Sequence, residues 1–344
     1  MGKTIYDIAQ EAGVSPATVS RVLNNKGYVS SETKVRVLNA AQGFTLRSRA
    51  SAPSVRITSK TIGLIVAHDS SYFFMNNTYL NIMQGISEVA KQHDYTLLLD
   101  IGGSVSSAID LYTKGKVDGF ILLGIKKSSV LIQELLGREI PFVLIGDYIS
   151  DYDIGAFCKV DIDDFSAARE ATDYLLTLGH RRIAFISGSL EYASCYNRFL
   201  GYKSALEEAG LPCEDKYIIS FSNMTEENAS NLTKRMLYQT NVPTAIIAFN
   251  DIISVAVYKA VKDCGYSIPK DISVIGFDDS LFAKYVTPAL TTVWQPSVEK
   301  GGTAATILIE GLTHPPISKK PVTLSSVLIY RDSCTVPNPE DEAI

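Results

Sequence analysis

Arginine offers a planar fork of donors that matches the two major-groove acceptors of guanine. Arg21 stands in the segment Pro16–Leu23, and the other residues that segment leaves exposed, Pro16, Ala17, Thr18 and Ser20, are small or hydrogen-bonding. A surface of that kind suits a DNA groove. Elsewhere the residue types speak for binding rather than bond-making. There is no phosphate-cradling G-x-x-x-x-G-K loop, no G-x-S-x-G elbow and no H-E-x-x-H pair, and Gly63 and the other strand-end glycines make no dinucleotide fingerprint. The four histidines are isolated, so no catalytic, metal or cofactor role is assigned and the chain is not expected to be an enzyme. Cys158, Cys195, Cys213, Cys264 and Cys334 are odd in number and scattered, which predicts reduced, mostly buried thiols.

Arg21 needs a rigid support, and the flanking pattern provides one. Ile5, Ile8, Ala9 and Ala12 fall on one helical face, Gly13 breaks that helix, and Ser15-Pro16 opens another with a capping hydroxyl and a first-turn proline. Val19, Val22 and Leu23 form the buried stripe of the second helix. Two short helices joined by a glycine turn make a helix-turn-helix, whose second helix enters the major groove. Ser30 caps a third helix with Val35, Leu38 and Ala41 expected on its packing side. Residues Met1 to Arg56 hold eight basic and three acidic side chains, a net +5, while the whole chain is −5, which leaves −10 on the remainder. A basic head on an acidic body points one end at a polyanion.

The string from Thr4 to Asn24 closely resembles the lactose/galactose repressor family of bacterial transcription regulators. That resemblance implies that Thr4, Tyr6, Ser15, Thr18, Ser20, Asn24, Tyr28, Ser30 and Thr33 hold the DNA backbone. Pro16, Ala17 and Arg21 take the base-reading positions, the first two through apolar contacts alone. Residues 45–60 turn rich in Ser, Arg, Ala and Pro, a linker that in the family holds a hinge helix inserting a leucine into the minor groove. Val55 takes the leucine's place; Ser48 and Arg49 replace the usual Pro-Asn start, and Pro53 lies inside the segment. A weakly formed hinge, disordered without operator, is the expectation.

From Thr61 onward near-continuous apolar runs alternate with helical patterns. Thr61–Ala67, Tyr95–Ile101, Asp118–Gly124, Pro141–Gly146, Arg182–Gly188, Thr244–Phe249 and Ser273–Asp278 read as strands buried on both faces, hence parallel sheets between helices. Ala289–Gln295 and Val322–Tyr330 look like crossover strands. The fold class is α/β: an all-α helix-turn-helix head (1–46), a hinge (47–60) and a two-lobed core of doubly wound parallel sheets (61–340). This core resembles the periplasmic-binding-protein-like core of the same family, with an N-lobe of about 61–160 plus 294–322 and a C-lobe of about 161–293 plus 323–340.

Ligands of such sheets bind beyond the carboxyl ends of the strands. The resemblance carries effector contacts onto Arg198, Asn250 and Asp278, an arginine, an amide and a carboxylate suited to a polyhydroxylated ligand. Tyr72, Phe73, Phe74 and Tyr79 are the expected source of stacking aromatics, with Phe73 and Tyr79 taken as effector-binding, and Trp294 is a further candidate. Asp278 or Asp279 could instead cap the next helix, and Arg198 could form a structural ion pair. Pro141–Gly146, Ala167–Glu170 and Leu178–His180 look similar to maltose-operon repressors within the family.

The expected protein is a ligand-controlled repressor of sugar-use genes, a homodimer on double-stranded pseudopalindromic operator DNA with a small sugar between its lobes. A sugar-binding receptor sharing the core is the alternative. No apolar run reaches transmembrane length and the N-terminus lacks an apolar signal region, so no membrane partner and a cytoplasmic location are expected.

Overall fold

The computed structural model describes residues 5–23, 29–40, 58–68, 70–147, 155–221 and 225–339. The chain divides into two compact units, Met1–Ile57 and Thr58–Ile344. In the first, α1 (Ile5–Ala12), α2 (Pro16–Leu23) and α3 (Ser31–Ala40) enclose a small core of Ile8, Ala9, Ala12, Val19, Val22 and Val37. Gly13 takes φ +63°, the left-handed conformation that ends α1. Ser15 Oγ accepts from the Thr18 amide at 3.2 Å and Ser30 Oγ from the Thr33 amide at 3.4 Å, so both expected caps form. The packing side of α3 differs from expectation. Val37 and Ala40 are buried and Val35 faces solvent; Ala41, residues 47–57 of the hinge and the side chain of Leu38 lie outside the described residues.

The second unit holds two sheets. The first lobe comprises β1 (Thr61–Val66), α4 (Ser70–Met75), α5 (Asn77–Gln92), β2 (Thr96–Ile101), α6 (Val105–Thr113), β3 (Gly119–Leu123), α7 (Leu131–Gly137), β4 (Phe142–Ile145) and β5 (Cys158–Ile162). The second lobe begins with α8 (Asp164–Thr177), β6 (Ile183–Ser187), α9 (Ala193–Glu208), β7 (Ile218–Ser220) and α10 (Glu226–Leu237). It continues through β8 (Ala245–Ala248), α11 (Asp251–Asp263), β9 (Ser273–Asp278), α12 (Leu281–Tyr285) and β10 (Thr291–Trp294). The chain then returns: α13 (Ser297–Thr313) packs on α5, β11 (Val322–Leu324) joins the first sheet and β12 (Val327–Ile329) the second.

Strand orders are β11-β5-β4-β3-β1-β2 and β12-β10-β9-β8-β6-β7, parallel throughout except for antiparallel β12. Each sheet is apolar on both faces. Ile62, Leu64 and Val66 of β1 pack under α5 and α13, while Ile65, with Phe120 and Leu122 of β3, packs under α6 and α7. The crossings fall after Ile162, Trp294 and Leu324. Two readings change. Short β5 and β7 carry too little apolar pattern to stand out, and Val322–Tyr330 is two three-residue strands in different sheets.

Helices α5 and α13 approach to backbone contact. A Cβ on Gly301 would lie 2.0 Å from the Ile82 carbonyl oxygen, and one on Gly85 1.9 Å from that of Val298. The two glycines set the distance at which α13 carries its polar residues toward the other lobe.

Candidate functional site

A cavity of about 90 Å³ lies where the carboxyl ends of both sheets face each other. Arg198, Asn250, Asp278 and Tyr79 all line it, though they come from α9, the β8–α11 junction, β9 and α5. Arg198 is buried, and its Nε donates to Asp164 Oδ1 at 2.7 Å and its Nη1 to the Phe249 carbonyl at 2.6 Å. The guanidinium also lies 4.1 Å from the Phe277 ring centroid. The structural ion pair and the cavity position therefore coexist. Asn250 caps α11 by accepting from the Ile253 amide at 2.9 Å while its residue borders the cavity. Neither Asp278 nor Asp279 caps α12, whose N-cap is Ser280; Asp279 accepts from Arg331 at 2.5 Å.

Asp278 belongs to a buried relay that sequence reasoning missed. Gln295 Nε2 donates to Asp278 Oδ1 at 2.5 Å, and Lys300 Nζ donates to Gln295 Oε1 at 2.9 Å and Asp161 Oδ1 at 2.6 Å. The relay joins the second sheet (Asp278) to α13 and the first sheet (Asp161). One signal was legible: Lys300 shares the buried stripe of α13 with Ser297, Gly301, Ala304 and Leu308, where a lysine needs a partner. Burial pushes the Asp164 carboxyl up to about 6 against the pull of Arg198. Burial likewise raises Asp278, opposed by Arg198, Gln295, Thr78 and Lys300. Beneath the site, Asp251 accepts from the Ser280 amide at 2.7 Å and Thr292 Oγ1 at 2.6 Å, and burial, then the charge of Asp278, pushes it up to about 8.

Aromatic side chains close one side. His68 stacks on Tyr192 with centroids 4.5 Å apart, and Tyr72 and Tyr79 lie 4.7 and 5.6 Å from the same imidazole. Tyr192 comes from the second lobe and His68 from the first. The Lys127 amide donates to the Glu191 carbonyl at 2.9 Å, tying the lobes beside them. Gly124, at φ +69°, makes room: a Cβ there would meet the His68 ring at 2.5 Å.

Two sequence candidates are corrected. Phe73 is fully buried in the first-lobe core, because consecutive residues of α4 point different ways: Tyr72 into the cavity, Phe73 to the core and Phe74 to solvent. Trp294, the last residue of β10, is 37% exposed beside its cross-strand neighbour Val327 and does not line the cavity. Of the thiols, Cys158 and Cys195 are buried and Cys213, Cys264 and Cys334 half-buried, fewer buried than expected because three sit at element ends or in connections.

In the head, Ser15, Pro16 and Ser30 are exposed and Thr18 and Thr33 partly so. Thr4, Asn24, Tyr28 and Val55 lie outside the described residues, as do the side chains of Tyr6, Ala17, Ser20 and Arg21. Among the described residues no cluster of His, Cys, Asp or Glu is arranged to hold a metal ion, and no helix is long and apolar enough to cross a membrane.

A helix-turn-helix head on a two-lobed core with an interlobe cavity defines a ligand-controlled transcription regulator. Comparison with known proteins agrees. Residues 4–44 match the bacterial regulatory proteins of the lacI family, and residues 172–334 match the periplasmic binding protein-like domain. The chain is 32% identical to catabolite control protein A of Priestia megaterium over 97% of this chain and 99% of that one. It is 30% identical to the transcriptional repressor PurR of Vibrio vulnificus over 96% and 98%. A solved complex of the transcriptional regulator CelR with cellobiose superposes with a TM-score of 0.74 at 27% identity, covering 96% of this chain and 99% of that one. The chain belongs to the lacI family of bacterial regulatory proteins. The probable maltose operon repressor of Staphylococcus aureus shares the fold at 24% identity. The maltose-like motifs serve mainly the cores: His180, for one, is buried between Thr244 and Ser273, so they do not identify an effector.

Proposed function

We propose that the protein is a homodimeric repressor of sugar-use genes that binds a pseudopalindromic operator through α2 and responds to a sugar held between its lobes. The observation that carries this reading is the convergence of Arg198, Asn250 and Asp278 on one interlobe cavity in a chain headed by a helix-turn-helix. A guanidinium, an amide and a carboxylate offer paired donors and acceptors to vicinal hydroxyls. Cellobiose in the related CelR complex supports the ligand class. Two-fold pairing supports specificity, because one short recognition helix spans too few base pairs. The exposed Leu281, Phe282 and Tyr285 of α12 are apolar surface for which a second copy is a natural cover.

Within the head, Arg21, Pro16 and Ala17 read bases while Thr4, Tyr6, Ser15, Thr18, Ser20, Asn24, Tyr28, Ser30 and Thr33 meet phosphates, and Val55 is the minor-groove wedge. The test is a gel shift on selected operator DNA with and without each member of a sugar panel. Sequence-specific binding that one sugar changes is the expected result. A chain that binds sugar but no DNA would be a receptor, and the proposal would fall.

A further inference from the structure

Ser59 and Lys60, at the end of the segment read as a hinge, are gripped by the second unit. Ser59 donates to Asp118 Oδ1 through its amide at 2.9 Å and its hydroxyl at 3.1 Å, and the Lys60 amide donates to Asp118 Oδ2 at 3.0 Å. Asp118 is buried, so its carboxylate needs such donors. Strand pairing does not depend on it. The sheet begins through the Thr96 amide on the Lys60 carbonyl at 2.7 Å and the Asp118 amide on the Thr61 carbonyl at 2.8 Å. All three donors to the carboxylate lie before β1, where the chain arrives from the first unit.

Lys60 also has a backbone conformation that side chains rarely adopt. Its φ is +50°, and its ammonium lies 4.4 Å from the centroid of the buried Tyr95 ring. A non-glycine residue persists in that region only where its surroundings over-determine it, and such strain gathers at clamps and switches. Asp118, Thr96 and Tyr95 supply the restraint here. The far end of the same element matters as well. Asp118 leads directly into β3, and Leu123, Gly124 and Ile125 at the carboxyl end of β3 line the effector cavity. One central strand of five residues, roughly 17 Å long, has the linker's attachment at its start and the cavity at its end.

We propose that Asp118 is a positioning residue for operator binding: its carboxylate clamps the chain at Ser59 and Lys60 and so fixes where the linker leaves the effector-binding core. Two such fixed points in a homodimer set the reach of the two heads, which the spacing of the half-sites must match. This rests on the two-fold reading above.

Gel shifts on the full chain test it, with operator duplexes selected from a random pool and the same duplexes lengthened or shortened by one base pair at the centre. The parent should lose about tenfold in affinity on either change, since one base pair moves a half-site by about 3.4 Å and rotates it about the helix axis. Asp118→Asn keeps the shape but sets an N–H donor against the donors of Ser59 and Lys60. It should bind the selected duplex more weakly than the parent and lose less than about threefold on respacing. Ser59→Ala, which removes one of the three bonds, should shift both quantities the same way and less. Binding to random DNA should be equal in all three. Amide exchange is the second readout: in Asp118→Asn, Ser59 and Lys60 should exchange about tenfold faster while Leu64 and Ile65 keep the parent's rate. An unchanged spacing preference with those two amides released overturns the inference and leaves the two-fold reading standing. Faster exchange throughout β1 would mean a residue that only holds the sheet, and overturns it too. A parent chain indifferent to spacing overturns the two-fold reading and this inference with it.

Discussion

At position 198 the guanidinium neutralises the buried Asp164 and also faces the cavity, so substitution there does two things at once. Arg198→Ala strands a buried carboxylate, a loss of about 3–5 kcal/mol for a pair this enclosed, and should lower the melting temperature as well as remove the effector response. Asp278→Asn is cleaner, since it keeps the shape and removes one charged acceptor, about 1.5–3 kcal/mol of effector binding. Operator affinity should be unchanged in Asp278→Asn; unaltered sugar affinity in both variants would move the site elsewhere. Asp251 gives a pH signature. The unfolded chain releases this proton near the ordinary carboxyl value of 3.8, while the folded chain keeps it to about 8. The stabilisation from the retained proton is therefore complete below about pH 4 and is lost as pH rises toward 8. Asp251→Asn imitates the protonated form, so its melting temperature should fall less between pH 5 and pH 8 than that of the parent. Parallel pH profiles for the two proteins would refute this assignment.

Helices α5 and α13 act as one element, joined through Gly85 and Gly301. Gly301→Ala puts a methyl group against the Ile82 carbonyl, and backbone cannot yield as a side-chain tip can. The overpacking should cost about 1–3 kcal/mol in denaturant unfolding. It should also displace Lys300 from Gln295 and so weaken effector binding; a gain in stability would mean that the helices separate freely. In the head, the element proposed to read bases is α2. Arg21→Ala should lose about 1–3 kcal/mol per half-site against the preferred operator while binding to random DNA stays the same. If the preference for operator over random DNA survives the change, α2 is not the reading helix.

For the whole molecule the expected state is a dimer, with or without DNA, which sedimentation at micromolar concentration will show. A stable monomer under both conditions would contradict it.

What the amino-acid sequence determined by itself was what local physics encodes. Ser15, Ser30 and Gly13 terminate helices through their own side chain or lack of one, and strands such as Thr61–Val66 are apolar on both faces because they lie between helix layers. Arg198, Asn250 and Asp278 were legible through the family resemblance; Asn250 and Asp278 also stand where strands end, whereas Arg198 lies inside α9. Partnerships across the lobes were not legible. Lys300 meets Asp161 across 139 positions, and His68 meets Tyr192 across 124, distances over which no periodicity operates. Side-chain direction on a single turn was equally hidden: Tyr72, Phe73 and Phe74 are alike in composition, and only the packing of α4 against its sheet sends one to the cavity, one to the core and one to solvent. Trp294 was decided the same way, by a position beside edge strand β12 that leaves part of the indole in water.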